Sequence, residues 1–388
     1  MSSLRKRLNG YRRRLSYELS QWRARRDARK RRSSFQGWLQ QLQHSPPEVL
    51  LGANFSSFGG VRGHVQAIQK YSTCKIGVVP PESLMRELHP YSFTHEFREE
   101  FLKFPATGVK VAHSHVYPWF IEWCQEHQKR GLRWIHTYHL NYYPEHGDGV
   151  HLEPWQQAIN DAMLNQARFA DVCLSVSKWQ VKELREKHGI YAEYLPNGVD
   201  VTICDSADAT RCHRKTGLSE FVLYVGRNDP VKNPGDFVKL AVSLPQQQFL
   251  MFGQGLSNAA LHDDWGVSVP TNLKVMGEAT HQETQDALKA CSALVVTSKR
   301  EGLPTLVLEA MTHGKPIVVP DEDGCLEAIG HGDFGFSYRH GDIDQLAATT
   351  MEASLDTTRC RRAPHRITEE YDWRVVARKL DYFYEGKN

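Results

Sequence analysis

The sequence predicts an α/β protein of two Rossmann-like domains, each a parallel sheet clothed by helices, preceded by a basic helical extension. Three observations carry this expectation. First, apolar runs of strand length (EVLLGA at 48–53, VKVAH at 109–113, DVCLSV at 171–176, FVLYV at 221–225, QFLMF at 248–252) recur with helical stretches between them. Second, several of these runs end in glycine: Gly59-Gly60 closes the turn after the first, Gly226 follows the fourth, and Gly253-Gln254-Gly255 the fifth. Glycine at the exit of a parallel strand brings backbone close to a ligand. Third, 388 residues suffice for two domains of ordinary size, and a polar, irregular stretch at 201–219 reads as the linker between them.

The extension is distinguished by charge. Residues 1–32 hold thirteen Lys/Arg against Glu18 and Asp27, a local charge of +11 in a chain whose total is only +3. Leu4, Leu8, Tyr11, Leu15, Leu19 and Trp22 recur at helical spacing. Phe35, Trp38, Leu39 and Leu42 form a second apolar group after a break at Ser33-Ser34. A basic amphipathic helix suits an anionic membrane surface. The same stripe would also serve a coiled coil or intramolecular packing, or a nucleic-acid arm, although no base-reading motif occurs elsewhere and no nucleic-acid partner is expected. The eight cysteines are scattered without a C-x-x-C, which fits a reducing compartment. With no apolar leader and no run of spanning length, the expectation is a cytoplasmic protein, peripheral on the inner face of the membrane through residues 1–44.

In the first domain, the strand at 48–53 follows the Pro46-Pro47 break and feeds the turn at Gly60, then a helix at 65–71. The strands at 109–113 and 133–137 end in His113, His115, His136 and His139, with His146 and His151 beyond. No carboxylate completes a recognisable ligand set there, so a metal is not expected. A helix at 155–170, a strand at 171–176, a helix at 177–188 and a short strand at 193–195 lead to the turn Pro196-Asn197-Gly198-Val199-Asp200.

In the second domain, the strand at 221–225 runs into Gly226-Arg227 and, five residues on, Lys232. Two cations beside a strand end suit phosphate oxygens. Strands at 248–252 and 272–276 and a helix at 280–290 follow. The stretch LVVTSKREGLPTLVLEAMTHGKPIVVP at 294–320 then reads as strand, loop, helix, strand. Pro304 suits the first helical turn and Gly314 the C-cap. A helix N-terminus offers free amides and partial positive charge to phosphate. Glu301 and Glu309 flank it and would accept sugar hydroxyls. Phosphate donors between two hydroxyl acceptors read as a nucleotide-sugar site. The chain closes with an amphipathic helix at 367–384.

Glu-Gly-Leu-Pro-Thr-Leu-Val-Leu-Glu at 301–309 resembles the E-x7-E signature of retaining GT-B glycosyltransferases, in particular glycosyltransferase family 4. Gly226-Arg227 with Lys232, the Gly-Gly loop, the P-N-G-V-D turn and the final helix resemble further segments of that family in the same order, across residues 48–384. The resemblance implies the GT-B arrangement, two Rossmann-like domains facing across a cleft. Beyond the basic extension at 1–45, which the family pattern does not require, it implies an acceptor domain at 46–205, a donor domain at 206–366 and a C-terminal helix at 367–388 that crosses back. It implies Glu301 on the donor sugar, Glu309 on the ribose, Arg227 and Lys232 on the diphosphate and His139 facing sugar and acceptor. Gly60, Gly226, Gly302, Leu303, Pro304, Thr305 and Leu306 would complete the donor site. A nucleotide diphosphate sugar is the implied donor, a lipid-linked glycan or glycolipid the acceptor, and neither cofactor nor metal is required. An epimerase or phosphorylase on the same fold, or a non-catalytic scaffold, would share these features.

Overall fold

The computed structural model describes residues 26–53, 60–80, 90–143, 152–356 and 358–386. The stripe from Leu4 to Trp22, the loop at 54–59 and His146 and His151 lie outside the described residues. Two six-stranded sheets organise the molecule. The first holds β1 (Val49–Gly52), β2 (Ile76–Val79), β3 (Val111–Ser114), β4 (Arg133–Tyr138), β5 (Val172–Ser175) and β6 (Glu193–Tyr194), ordered β2-β1-β3-β4-β5-β6. The second holds β7 (Val222–Val225), β8 (Phe249–Phe252), β9 (Leu273–Val275), β10 (Ala293–Val295), β11 (Ile317–Pro320) and β12 (Phe336–Tyr338), ordered β12-β11-β10-β7-β8-β9. Every paired strand is parallel. Strand order reverses between β1 and β3 and again between β7 and β10. At such switch points adjacent loops diverge and open a crevice at the carboxyl ends.

Both faces of each sheet are covered, as a parallel sheet requires. One face of the first sheet carries an aromatic core of Phe97, Phe101, Phe120, Trp123 and Trp134. The other face packs against Val376, Leu380 and Tyr384 of the last helix, Trp373–Tyr384. That helix does return to the first domain. Asp381 accepts from the Thr73 amide and hydroxyl at 2.8 and 2.7 Å, and Tyr384 shares a 2.7 Å hydrogen bond with His113.

Several expectations are corrected. The edge strands β2 and β12 both lie outside the runs expected as strands. The stretch at 201–219 is not irregular. Asp200 caps a helix Val201–Asp205 and Asp208 caps Ala209–Thr216, because a carboxylate oxygen satisfies amides left open at a helix start. Pro304 is the residue before the helix Thr305–Thr312 rather than its first member. The segment expected as one helix at 155–170 widens after Asn160 into π- and 3-10 turns. The last helix is interrupted by extended Asp372, which pairs with Val199 as a bridge.

Ser33-Ser34 break nothing: one helix runs over residues 26–44, with both serines exposed. Its apolar face is spent inside the molecule. Phe35 is fully buried and stacks on Phe97 at 4.3 Å, Trp38 stacks on Phe101 at 5.9 Å, and Arg31 and Arg32 pair with Glu96 and Glu100.

Candidate active site

The site forms where the segments leaving the carboxyl ends of β1 and β6 meet those leaving β7, β8, β9 and β10. A cavity of about 640 Å³ lies there, lined from the first domain by Gly60, His64 and Asn197, and from the second by Gly226, Arg227, Lys232, Thr305, Leu306 and Glu309. A smaller recess of about 150 Å³ adjoins it, lined by Glu301, Leu303, Pro304 and Lys232 among others.

Gly226 and Gly253 allow the crevice. A Cβ on Gly253 would stand 1.7 Å from the Gly226 carbonyl oxygen, so only glycine lets the β7 and β8 exits approach so closely. The following loop is tied to β10: the Thr297 hydroxyl donates to the carbonyls of Lys232 and Asn233 at 3.0 and 2.8 Å, and the Lys299 amide to Val231 at 2.7 Å. Asn233 adopts a left-handed conformation at φ 48°, which turns the chain into the helix Pro234–Ser243. This bracing carries Lys232 to Glu301, where Nζ donates to Oε1 at 2.5 Å. Arg227 pairs with Asp229 at 3.2 Å. Beyond Pro304 the amides of Val307 and Leu308 turn back to its carbonyl, while Thr305 and Leu306 line the cavity.

Glu301 and Gly302 are held from both sides. The Glu301 amide donates to Glu322 Oε1 at 3.0 Å, and the Cys325 amide to Oε2 at 3.0 Å. Burial pushes the Glu322 carboxyl up to about 7, opposed by these amides. Gly302 presses on the first domain, where an added Cβ would stand 2.3 Å from the His139 carbonyl oxygen. The Trp179 indole donates to the Gly302 carbonyl at 2.7 Å, the Asn197 amide to the Leu303 carbonyl at 3.1 Å, and the buried Arg300 guanidinium to the Asn141 carbonyl. Glu327 accepts the amides of Lys178 and Trp179 at 2.9 Å each. The loop bearing Glu301 is therefore shaped by both domains.

Ten of the twelve expected residues reach these cavities. Gly302 and His139 do not line them. His139 lies behind His64, edge-on to its ring at 4.9 Å, and its Nε2 shares a 2.9 Å hydrogen bond with His115 Nδ1. Of the first domain's histidines, His64 is the one on the cavity wall. Its Nδ1 donates to Asn197 Oδ1 at 3.0 Å, which leaves Nε2 a buried lone pair with no partner among the described residues. Burial holds His64 down to about 4 and His139 well below the ordinary imidazole range, so both rings are neutral. His64, His115 and His139 together bring three ring nitrogens within 4.8 Å of one another, and no carboxylate is grouped with them among the described residues. The sequence reading assigned no role to His64, Glu322 or Arg300. Glu322 stands two residues past the end of β11, where the strand-end rule applied to Glu48–Ala53 would have found it.

The chain matches two family models end to end: "Glycosyltransferase Family 4" over residues 57–203 and "Glycosyl transferases group 1" over 208–370. Its structure resembles Anabaena HepE in complex with UDP and glucose at a TM-score of 0.70, over 87% of this chain and 99% of that one, at 17% identity. It resembles sucrose-phosphate synthase from Thermosynechococcus elongatus at a TM-score of 0.68, over 87% and 98%, also at 17% identity. The fold is GT-B. Among curated relatives, a glycogen synthase of Mycobacterium tuberculosis is 29% identical over 177 residues, 42% of this chain and 41% of that protein. A phosphatidyl-myo-inositol mannosyltransferase of Mycolicibacterium smegmatis is 26% identical over 218 residues, 54% of each. The chain thus spans about half the length, or less, of these curated relatives.

Proposed function

We propose that this GT-B protein transfers a sugar from a nucleoside diphosphate sugar to an acceptor hydroxyl with retention. The observation that carries the reading is the Lys232–Glu301 ion pair in a crevice that also holds Arg227, the start of the helix Thr305–Thr312 and Glu309. The bond from the anomeric carbon to the diphosphate oxygen breaks, a bond to the acceptor oxygen forms on the same face, and the acceptor proton passes to the departing diphosphate. Arg227, Lys232 and the amides at the helix start stabilise the charge that builds on the diphosphate, in the role a divalent metal would otherwise fill. Glu301, released from Lys232 as the diphosphate arrives, accepts hydroxyls of the sugar, and Glu309 those of the ribose. His64 meets the sugar and acceptor from the opposite wall, with His139 and His115 positioning it from behind. Closure by Gly302 and Arg300 excludes water, the competing nucleophile.

A lipid-linked glycan or glycolipid is the acceptor this reading favours. Its support is the basic extension and the phosphatidyl-myo-inositol acceptor in the name of one relative. Because the apolar face over Phe35–Leu42 is occupied, attachment to an anionic surface falls to residues 1–25 and to the exposed cations of the helix at 26–44. No described helix is long and apolar enough to cross a membrane.

The test incubates the protein with UDP-, GDP-, ADP- and dTDP-sugars without added metal and measures nucleoside diphosphate release. The expected result is release from one donor, reduced about 10²- to 10³-fold in Arg227→Ala. No binding of any donor would overturn the assignment.

A further inference from the structure

Glu309 is not left to orient itself. Its Oε2 accepts from Gln285 Nε2 at 2.6 Å. Gln285 is fully buried on the helix His281–Ala290, and its Oε1 lies 3.0 Å from His313 Nε2. Since Gln285 uses its amide nitrogen toward Glu309, its oxygen is the acceptor and His313 the donor through Nε2–H. Burial lowers His313 to about 4, so the neutral ring with one N–H is the form present. The chain His313→Gln285→Glu309 therefore has a defined direction. It runs between two helices that both line the cleft, His281–Ala290 and Thr305–Thr312.

The consequence lies at the other carboxylate oxygen. Glu309 Oε1 is 3.6 Å from His281 Nε2, an ion-pair separation too long for a hydrogen bond, and His281 and Glu309 both line the cavity. His281 Nε2 also lies 3.2 Å from Gln285 Nε2, so Gln285 spaces the imidazole as well as the carboxylate. One oxygen is committed to Gln285; the other lies at the cavity beside His281, whose imidazole Glu309 holds above its ordinary range.

We infer that Gln285, held by His313, is a positioning residue that presents Glu309 Oε1 to the ribose of the nucleotide, and so sets the preference of this site for ribonucleotides over 2′-deoxyribonucleotides. The inference rests on the reading of Glu309 given above. A lone carboxylate on a helix would rotate among several rotamers and average over hydroxyl and water partners. A carboxylate fixed through one oxygen offers the other in one place, which is what discrimination by a single hydroxyl requires.

The experiment measures, by calorimetry on the full chain, binding of UDP against dUDP, GDP against dGDP, ADP against dADP and ribothymidine diphosphate against dTDP. For the nucleotide pair that binds, wild type is expected to prefer the ribonucleotide by about tenfold or more, the usual worth of a hydrogen bond to a charged acceptor. Gln285→Met is expected to lower that ratio to about twofold with the deoxynucleotide affinity unchanged. For the transfer reaction it should raise the donor KM with kcat preserved. Should Gln285→Met fail to fold, His313→Phe, which frees Gln285 at a half-buried position, carries the same expectation. If either folded variant keeps the wild-type ratio while Glu309→Gln loses it, the positioning role is refuted and the ribose reading stands. If Glu309→Gln also keeps the ratio, or no diphosphate of any of these pairs binds wild type, the reading of the cleft fails and the inference with it.

Discussion

At Gly302 the missing side chain is the contact. The 2.3 Å separation between a would-be Cβ and the His139 carbonyl oxygen is far below any real carbon–oxygen contact, and the obstacle is backbone. Gly302→Ala must drive the loop from the first domain, and Glu301 travels with it. The expected outcome is a folded protein whose transfer rate falls at least about 10²-fold, since small displacements of reacting groups cost that much. Circular dichroism and the donor-release assay check it; near-wild-type rates would show that the closed contact is dispensable. The sequence marked Gly302 as a donor-site residue on the strength of the family resemblance. Its role against the other domain was illegible, because a close approach leaves no trace in residue type beyond the glycine itself.

Elements bring charge and burial together, and the strand ends of the first sheet show it. His64, His113, His115, His136 and His139 are all buried, and desolvation lowers each one, to about 4 for His64 and about 3 for His136. A depressed folded-state value means that the unfolded chain binds protons first. The stabilising contribution is present above the unfolded value near 6.5 and is lost as pH falls toward the folded values. For His64 alone the loss by pH 4 is on the order of 3 kcal/mol. Urea denaturation at pH 7, 6 and 5 should show stability falling steadily with acid, with a shallower fall in His64→Asn. A flat profile would contradict a neutral buried cluster. A second expectation at this scale concerns the helix at 26–44. Phe35→Ala removes a fully buried ring stacked on Phe97 and should cost about 3 kcal/mol or more, read from the same denaturation curves. No change would mean that the helix does not dock in solution.

For the whole molecule, the chain's last segment decides whether the first domain has a complete core. Trp373, Val376, Leu380 and Tyr384 cover one face of the first sheet with Val49, Leu51, Ile135 and Leu174. Truncation after Asp372 would leave that face covered only in part, by Val65, Ala67 and Ile68 of the helix Gly60–Tyr71, and a parallel sheet needs both faces covered. Such a chain should be insoluble or bind a hydrophobic dye strongly, whereas removal of residues 1–25 should leave the fold and donor release unchanged. A soluble truncation with native circular dichroism would show that the first domain stands without its returning helix. Liposome flotation of the full chain against the chain lacking residues 1–25, on anionic vesicles, reads the role of that segment; equal flotation would exclude it as the membrane anchor.

Apolar periodicity and glycine placement determined the two-domain α/β architecture and most of its strands, because these are local signals read within a few residues; Arg227, Lys232, Glu301 and Glu309 stood out by charge placed at strand and helix ends and by the resemblance of 301–309 to a family signature. The edge strands β2 and β12 lay outside the expected runs, although β2 is as long as β1, and the helices within 201–219 escaped because aspartate caps, not apolar stripes, mark them. Tertiary structure alone decided the rest: that Lys232 meets Glu301 across a separation of 69 residues, that His64 rather than His139 faces the cavity, and that the apolar face over Phe35–Leu42 packs on the first domain. Each is a contact between segments distant in sequence. Residue type states what a side chain is able to do; only the fold states what stands opposite it.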